Sequence, residues 1–335
     1  MTTTKQPSLH SMLDAYSKHI ESESFRQAAH TANRLGLVRR LKEVHADVPI
    51  ASLNQHEVQA LMDHWRSRPL AKNADRPIAA ATAKNHISEL RRFLLWLDAT
   101  PLNQWSLPPD FHQLRMRPQR LREDMQCWAV RHRTYSIGEL RLLYQHAEGT
   151  ERLMLLLGLN CGFGAAEMGR LRVEDLHLQN QNRHPVTDKF GSALVFRCPK
   201  THQVDTWPLW HETIEAFGTV TEGRCEDNNL VFQTRDGRPL YRDTSRNSNA
   251  PFANLWRRLS KRVQEHHPEF PILPFVTLRQ TAVDLLRHHC PADVVSAFIG
   301  HVQSSRGPDH YTFELYGVAA ACQRLRDVLD PVFEE

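Results

Sequence analysis

The chain has 335 residues, 41% of them hydrophobic, and a formal net charge of +4. That length and apolar content suffice for two cores and exclude a disordered or fibrous chain. No apolar run is long enough to cross a bilayer, and the polar start MTTTKQPSLH lacks a signal-peptide core, so a soluble cytoplasmic protein is expected.

Residues 8 to about 100 carry the helical period. Leu9, Met12, Leu13, Tyr16 and Ile20 share one face, and a second helix is predicted over 25–44 despite Gly36. Asn54 with Glu57 forms an N-terminal cap, with Leu53 placed to staple onto Val58, ahead of a third helix through Leu61, Met62 and Trp65. A fourth helix buries Ile87, Leu90, Phe93, Leu94 and Leu97 and shows Lys84, Arg91 and Arg92 on its other face. Residues 101–134 contain four prolines and no sustained period, which predicts a linker. It is strongly cationic, with Arg115, Arg117, Arg120, Arg122, Arg131 and Arg133 against Glu123 and Asp124. Such a segment suits a phosphate backbone, in a salt-sensitive and largely sequence-independent way.

Beyond the linker, Ser136 and Glu139 form a capping box before Leu140, Leu142 and Leu143. An apolar run from Leu153 to Leu159 leads into Gly162, Gly164, Glu167 and Leu171, with Asp175 following. Leu194–Thr201 and Val204–Leu209 read as two strands around a polar turn that holds Lys200. A helix is expected at Glu212–Phe217, then a short apolar segment at Asn229–Phe232 and a turn at Asp236–Gly237. The next helix, Phe252–Val263, turns Trp256 and Leu259 inward and Arg257, Arg258, Lys261 and Arg262 outward, a second basic surface. A final amphipathic helix runs through Val318, Leu325 and Val328.

Chemistry concentrates in residues 275–312, where Arg279, His301 and Tyr311 fall on two helices and a connecting turn. Attack on a phosphodiester by a side-chain oxygen needs a nucleophile, fixed cations facing the non-bridging oxygens and a donor for the leaving oxygen. Arg279 suits the clamp, because a guanidinium is always charged and grips two oxygens at once. His301, after a glycine in a turn, can donate to the same phosphate, and Tyr311 is the candidate nucleophile. The six cysteines are scattered without a C-x-x-C pair, and the doublets His266-His267 and His288-His289 diverge on a helix. Reduced thiols are expected, with neither a metal nor another cofactor.

The segment Thr277-Leu278-Arg279-Gln280-Thr281, then Gly300-His301 and Tyr311, resembles the end of the catalytic domain in the tyrosine recombinase (phage integrase) family. The upstream block of Gly162, Glu167, Leu171 and Asp175 resembles that family's first catalytic block. The resemblance implies a mostly α fold with a small β-sheet or hairpin and two domains. A helical core-binding domain (1–110) and basic linker (111–134) would precede a mixed α+β catalytic domain (135–335). It implies double-stranded DNA as partner, and self-association on DNA through the C-terminal helix. The implied reaction makes a 3′-phosphotyrosine on Tyr311, with Lys200 protonating the leaving 5′ oxygen and Arg279 and His301 on the phosphate. Two family positions differ, with Gly164 where the first catalytic arginine stands and Val276 where a basic residue stands. Neither side chain donates a hydrogen bond or carries charge. Three outcomes stay open: slow strand exchange with a substitute cation from Arg170, Arg172 or Arg197; nicking and resealing alone; or a catalytically inactive DNA-binding accessory protein.

Overall fold

The computed structural model describes residues 7–23, 28–72, 74–101, 105–122, 124, 133–179, 185–198, 204–222, 229–234, 236–242, 247–300 and 308–334, the side chains of 28, 29, 185, 186 and 308–315 excepted. Two compact units divide the chain, Met1–Arg131 with Asp243–Arg246 and His132–Arg242 with Asn247–Glu335.

The first unit is a helical bundle of α1 (Leu9–Ser22), α2 (Ala28–Val44), α3 (Gln55–Arg66) and α4 (Ala80–Ala99). The apolar stripes read from the sequence are its core: Leu13, Tyr16, Val58, Trp65, Phe93 and Leu97 are all buried. Asn54 caps α3 by accepting from the backbone of His56 and Glu57. A two-stranded antiparallel hairpin that the hydrophobic pattern did not announce, β1 (Leu70–Ala71) and β2 (Ala74–Pro77), joins α3 to α4. Inside the bundle lies a charged group: Glu89 accepts from Tyr16 Oη at 2.9 Å, Arg34 Nε at 2.9 Å and Arg92 Nη1 at 3.0 Å. These donors offset the large cost of burying a carboxylate.

The segment expected to be a linker is anchored over its described residues. Phe111 and Leu114 are buried in the first unit's core, and Trp105 Nε1 donates to the Leu53 carbonyl at 2.7 Å. Farther on, Arg115 N donates to Gln59 Oε1 at 3.0 Å, Arg66 Nε donates to the Arg117 carbonyl at 3.1 Å, and Gln119 N donates to the Arg66 carbonyl at 2.9 Å. Two apolar side chains among prolines give no helical period, yet they are enough to lay this stretch along α3.

In the second unit α5 (Ile137–His146) starts at the reciprocal Ser136–Glu139 cap. The helix α6 (Gly149–Asn160) is buried all round from Leu153 to Asn160, as a continuous apolar run requires. After the short α7 (Ala165–Met168) come β3 (Leu176–His177), α8 (Pro185–Phe190), β4 (Ala193–Arg197) and β5 (Val204–Pro208). The strands form an antiparallel sheet in the order β3-β4-β5, with Leu194 opposite Trp207 and Phe196 opposite Asp205. The helices α9 (His211–Thr221), α10 (Ala250–His266), α11 (Thr277–Arg287) and α12 (Ala292–Phe298) follow, then α13 (Pro308–Val328) and α14 (Asp330–Phe333). Both α9 and α11 pack on α6.

The last helices lie on their own unit: Leu325, Leu329 and Val332 are buried, and the Phe333 ring meets Tyr144 at 5.1 Å and Trp210 at 6.0 Å. Leu329 rather than Val328 takes the deepest place, because Leu329 opens the turn into α14. Burial raises the Cys161 and Cys322 thiols above their ordinary range, and both pack as protonated apolar groups. Among the described residues no helix is long and apolar enough to cross a membrane, and no group of three or more His, Cys, Asp or Glu is placed to hold a metal.

Candidate active site

Three backbone turns meet around Arg279. The first follows α6, where Gly162 adopts φ +64° and a Cβ would lie 3.1 Å from the Phe298 ring. Only glycine takes that conformation at this close approach without strain. The next residue, Phe163, packs on Phe196 of β4 at 5.2 Å and on Trp207 of β5 at 5.0 Å. Gly164 then caps α7 and donates its N–H to Glu167 Oε2 at 3.0 Å.

The second turn opens α11. Here Leu278 lies hard against Gly158 of α6, whose Cβ, if present, would be 2.9 Å from Leu278 Cδ1. That contact fixes the rotation of α11 and so the direction of the neighbouring Arg279. The Arg279 guanidinium donates through Nη2 to the Ile299 carbonyl at 2.7 Å, and Nη1 lies 3.9 Å from Glu167 Oε1. Its side chain keeps 22% of its exposure, so Arg279 is anchored by the protein and still partly accessible. Val276, three residues earlier, is 53% exposed and caps α11 without a side-chain hydrogen bond.

The third turn ends α12. Trp207 Nε1 donates to the Phe298 carbonyl at 2.9 Å, and Gly300 has φ +66° with Asp205 Oδ2 3.4 Å from its would-be Cβ. Through these contacts the β4–β5 hairpin sits against the same turn that accepts from Arg279.

The structure therefore brings together Arg279, Gly164 and the 298–300 turn. Lys200 and His301 lie outside the described residues, as does the Tyr311 side chain, although Tyr311 belongs to α13. Two carboxylates stand beside the site: Glu167, named above as part of the upstream block but given no role, and Asp205, which the sequence did not single out. The Glu167 spacing from Gly164, three residues on, is the capping-box signal. Asp205 gives no local signal, since its place depends on the register of β4 with β5 and on the packing of that hairpin against α12.

The three candidate substitutes have these surroundings among the described residues. Arg170 stacks over the Tyr241 ring at 4.7 Å and donates to the Ala166 carbonyl at 3.4 Å. Arg172 lies 3.7 Å from Glu174. Arg197 follows Phe196 along β4, and alternation puts it on the sheet face opposite Phe163.

Of the expected basic surfaces, Lys84 and Arg91 are exposed on α4, while Arg92 spends one N–H on Glu89. Arg115, Arg117, Arg120 and Arg122 are exposed along the segment beside α3, with Arg115 Nη2 3.6 Å from Asp63. In the second unit Arg257, Arg258 and Lys261 line an open concavity of about 660 Å³ with Leu240, Pro251 and Leu255. Arg262, expected beside them, instead pairs with Glu151 and donates to the His146 carbonyl at 2.8 Å. One residue of helical rotation moves it from the open face to the edge against α5 and α6.

Comparison with known proteins adds three findings. Residues 137–316 match the phage integrase family. No curated protein sequence matches the chain. Among solved structures, a lambda integrase dimer bound to a COC′ core site is similar with a TM-score of 0.60 at 16% identity, over 93% of this chain and 95% of that one. The Tn1549 transposon integrase in complex with transposon right end DNA gives a TM-score of 0.60 at 16% identity, over 95% of this chain and 99% of that one. A lambda integrase tetramer bound to a Holliday junction gives 0.58 at 16%, over 90% and 76%.

Proposed function

This chain belongs to the phage integrase family, and from that premise we propose that it is a tyrosine recombinase that cuts and rejoins double-stranded DNA. Residues 1–110 form the helical DNA-binding domain, 111–134 the basic connection and 135–335 the catalytic domain. The Tyr311 oxygen attacks a backbone phosphorus, the 5′ oxygen leaves with a proton from Lys200, and a 3′-phosphotyrosine bond forms. A 5′ hydroxyl then reverses the step, so no metal or nucleotide is consumed. Arg279 and His301 hold the non-bridging oxygens as charge develops on them.

The observation that carries this reading is the setting of Arg279, held by the Ile299 carbonyl while its side chain stays partly accessible. A planar guanidinium held in this way is preorganised for two phosphate oxygens. Lys84, Arg91, Arg92, the arginines at 115, 117, 120 and 122, and the Arg257, Arg258 and Lys261 cluster supply the phosphate contacts. The lambda integrase structures hold a dimer and a tetramer on DNA. By the same logic this chain assembles on its site through the C-terminal helix, and it resides in the cytoplasm with the nucleoid.

A second reading has its own support. Gly164 and Val276 carry no charge, and Arg170 stacks on Tyr241 while Arg172 pairs with Glu174, which favours a DNA-binding accessory protein without catalysis. Incubation with a nicked duplex that traps the covalent intermediate separates the two. An adduct that resists denaturation and disappears in Tyr311→Phe establishes the recombinase, whereas tight binding without adduct establishes the accessory protein.

A further inference from the structure

The first unit encloses a histidine cluster that the recombination chemistry does not use. Trp65 is 2% exposed, and its indole Nε1 donates to His45 Nε2 at 2.9 Å. An indole nitrogen only donates, so the His45 nitrogen facing it must be the unprotonated one. The His86 ring stacks on Trp65 with centroids 3.9 Å apart, and His64 meets Trp65 edge-on at 4.9 Å. Around them stand His10 of α1, whose Nε2 lies 2.8 Å from the His45 carbonyl, Asp47, which accepts from the His10 backbone, and Arg40 of α2.

Protonating His45 sets two N–H groups nose to nose and breaks the Trp65 bond. A second charge on His86 or His64 adds repulsion, and Arg40 bears on both rings with the same sign. A cation over the indole face is attracted to it, which moderates the effect at His86. His45 receives no such compensation, since its contact with Trp65 is through the ring edge.

What the cluster secures is α3, and α3 carries the basic segment. Gln59 and Arg66 of that helix hold the backbone of residues 115, 117 and 119. We propose that the His45–Trp65 bond is an acid-released latch, which at neutral pH fixes α3 and with it the arginines at 115, 117, 120 and 122 in register for a duplex. The duplex part of this inference rests on the recombinase reading; the latch itself does not.

Burial lowers His45 and His86 to about 4, from 6.5. The folded value lies below the unfolded one, so the latch contributes fully above pH 6.5 and is lost progressively as pH falls toward 4. The sign is diagnostic, because histidines that merely gain charge on a basic surface tighten DNA binding in acid.

The test is a pH series from 7.5 to 4 on the full chain at constant ionic strength, in which an affinity that stays flat down to pH 4 also overturns the latch. It follows duplex affinity by fluorescence anisotropy and the histidine ¹³Cε1 and Trp65 indole signals by NMR. Wild type should lose about tenfold or more in affinity as pH falls, together with the Trp65 indole signal. His45→Gln, which keeps an acceptor and cannot titrate, should show no such loss. Trp65→Phe, which cannot donate, should start weaker and lack the acid step, so either variant decides if the other fails to fold. Affinity that rises in acid, or the same fall in both variants, overturns the latch. If the chain binds no duplex at any pH, the recombinase reading fails and NMR alone decides the latch. Titration of His45 near 6.5 with an unchanged indole signal then overturns it.

Discussion

Gly164→Arg, alone and with Val276→His, should accelerate covalent attachment to DNA, and the structure sets the size of the gain. One preorganised donor to a transition-state oxyanion is worth about 2.7 to 4 kcal/mol. Gly164 has φ −98° and ψ −177°, extended backbone open to any residue. A Cβ there would meet Glu167 Oε2 at 3.1 Å, the free end of a flexible carboxylate that can shift by a few tenths of an ångström. That shift weakens the cap on α7, a loss of about 1 kcal/mol in folding stability that ground and transition states share and that leaves the barrier unchanged. The gain is therefore the full worth of the donor, roughly 10²- to 10³-fold in rate. Val276 stands in helical backbone at 53% exposure, so histidine fits with little burial cost and adds a second donor. The assay is the initial rate of denaturant-resistant complex on a nicked duplex, with thermal melting as the control for folding. Variants that melt like wild type and gain nothing would refute the idea of a simple charge vacancy beside Arg279.

Glu89→Ala should destabilise the first unit by about 3 to 5 kcal/mol in urea titrations, because it removes the buried partner of Arg34 and leaves it the exposed Glu23 at 3.9 Å; a loss below about 1 kcal/mol would contradict that role. Replacing Arg257, Arg258 and Lys261 together with alanine should flatten the dependence of log affinity on log salt by about 0.9 for each phosphate contact removed. An unchanged slope would move the DNA away from the concavity they line.

The helical stripes and caps were legible because they are local. Leu9 to Ile20, the Asn54 cap and the Ser136–Glu139 box depend on spacings of three or four residues, and the structure keeps each of them. What the sequence hid depends on distant pairing. Phe111 and Leu114 have no periodic partners, so the path of the basic segment along α3 emerges only once the bundle exists. Arg262 looks like a free surface cation until Glu151 arrives from α6. Within the candidate site, Arg279 is singled out by its motif, whereas its anchor is the backbone carbonyl of Ile299, which no residue type encodes.

The account stands on the convergence of Lys200, Arg279, His301 and Tyr311 at one phosphorus. A crystal structure of the chain on a nicked duplex with orthovanadate at the nick measures this directly. The account predicts the Tyr311 oxygen in line with vanadium, the Arg279 guanidinium on two equatorial oxygens, and Lys200 and His301 within about 3 Å of the remaining oxygens. A Tyr311 phenol directed away from Arg279, with no oxyanion held between them, would contradict it.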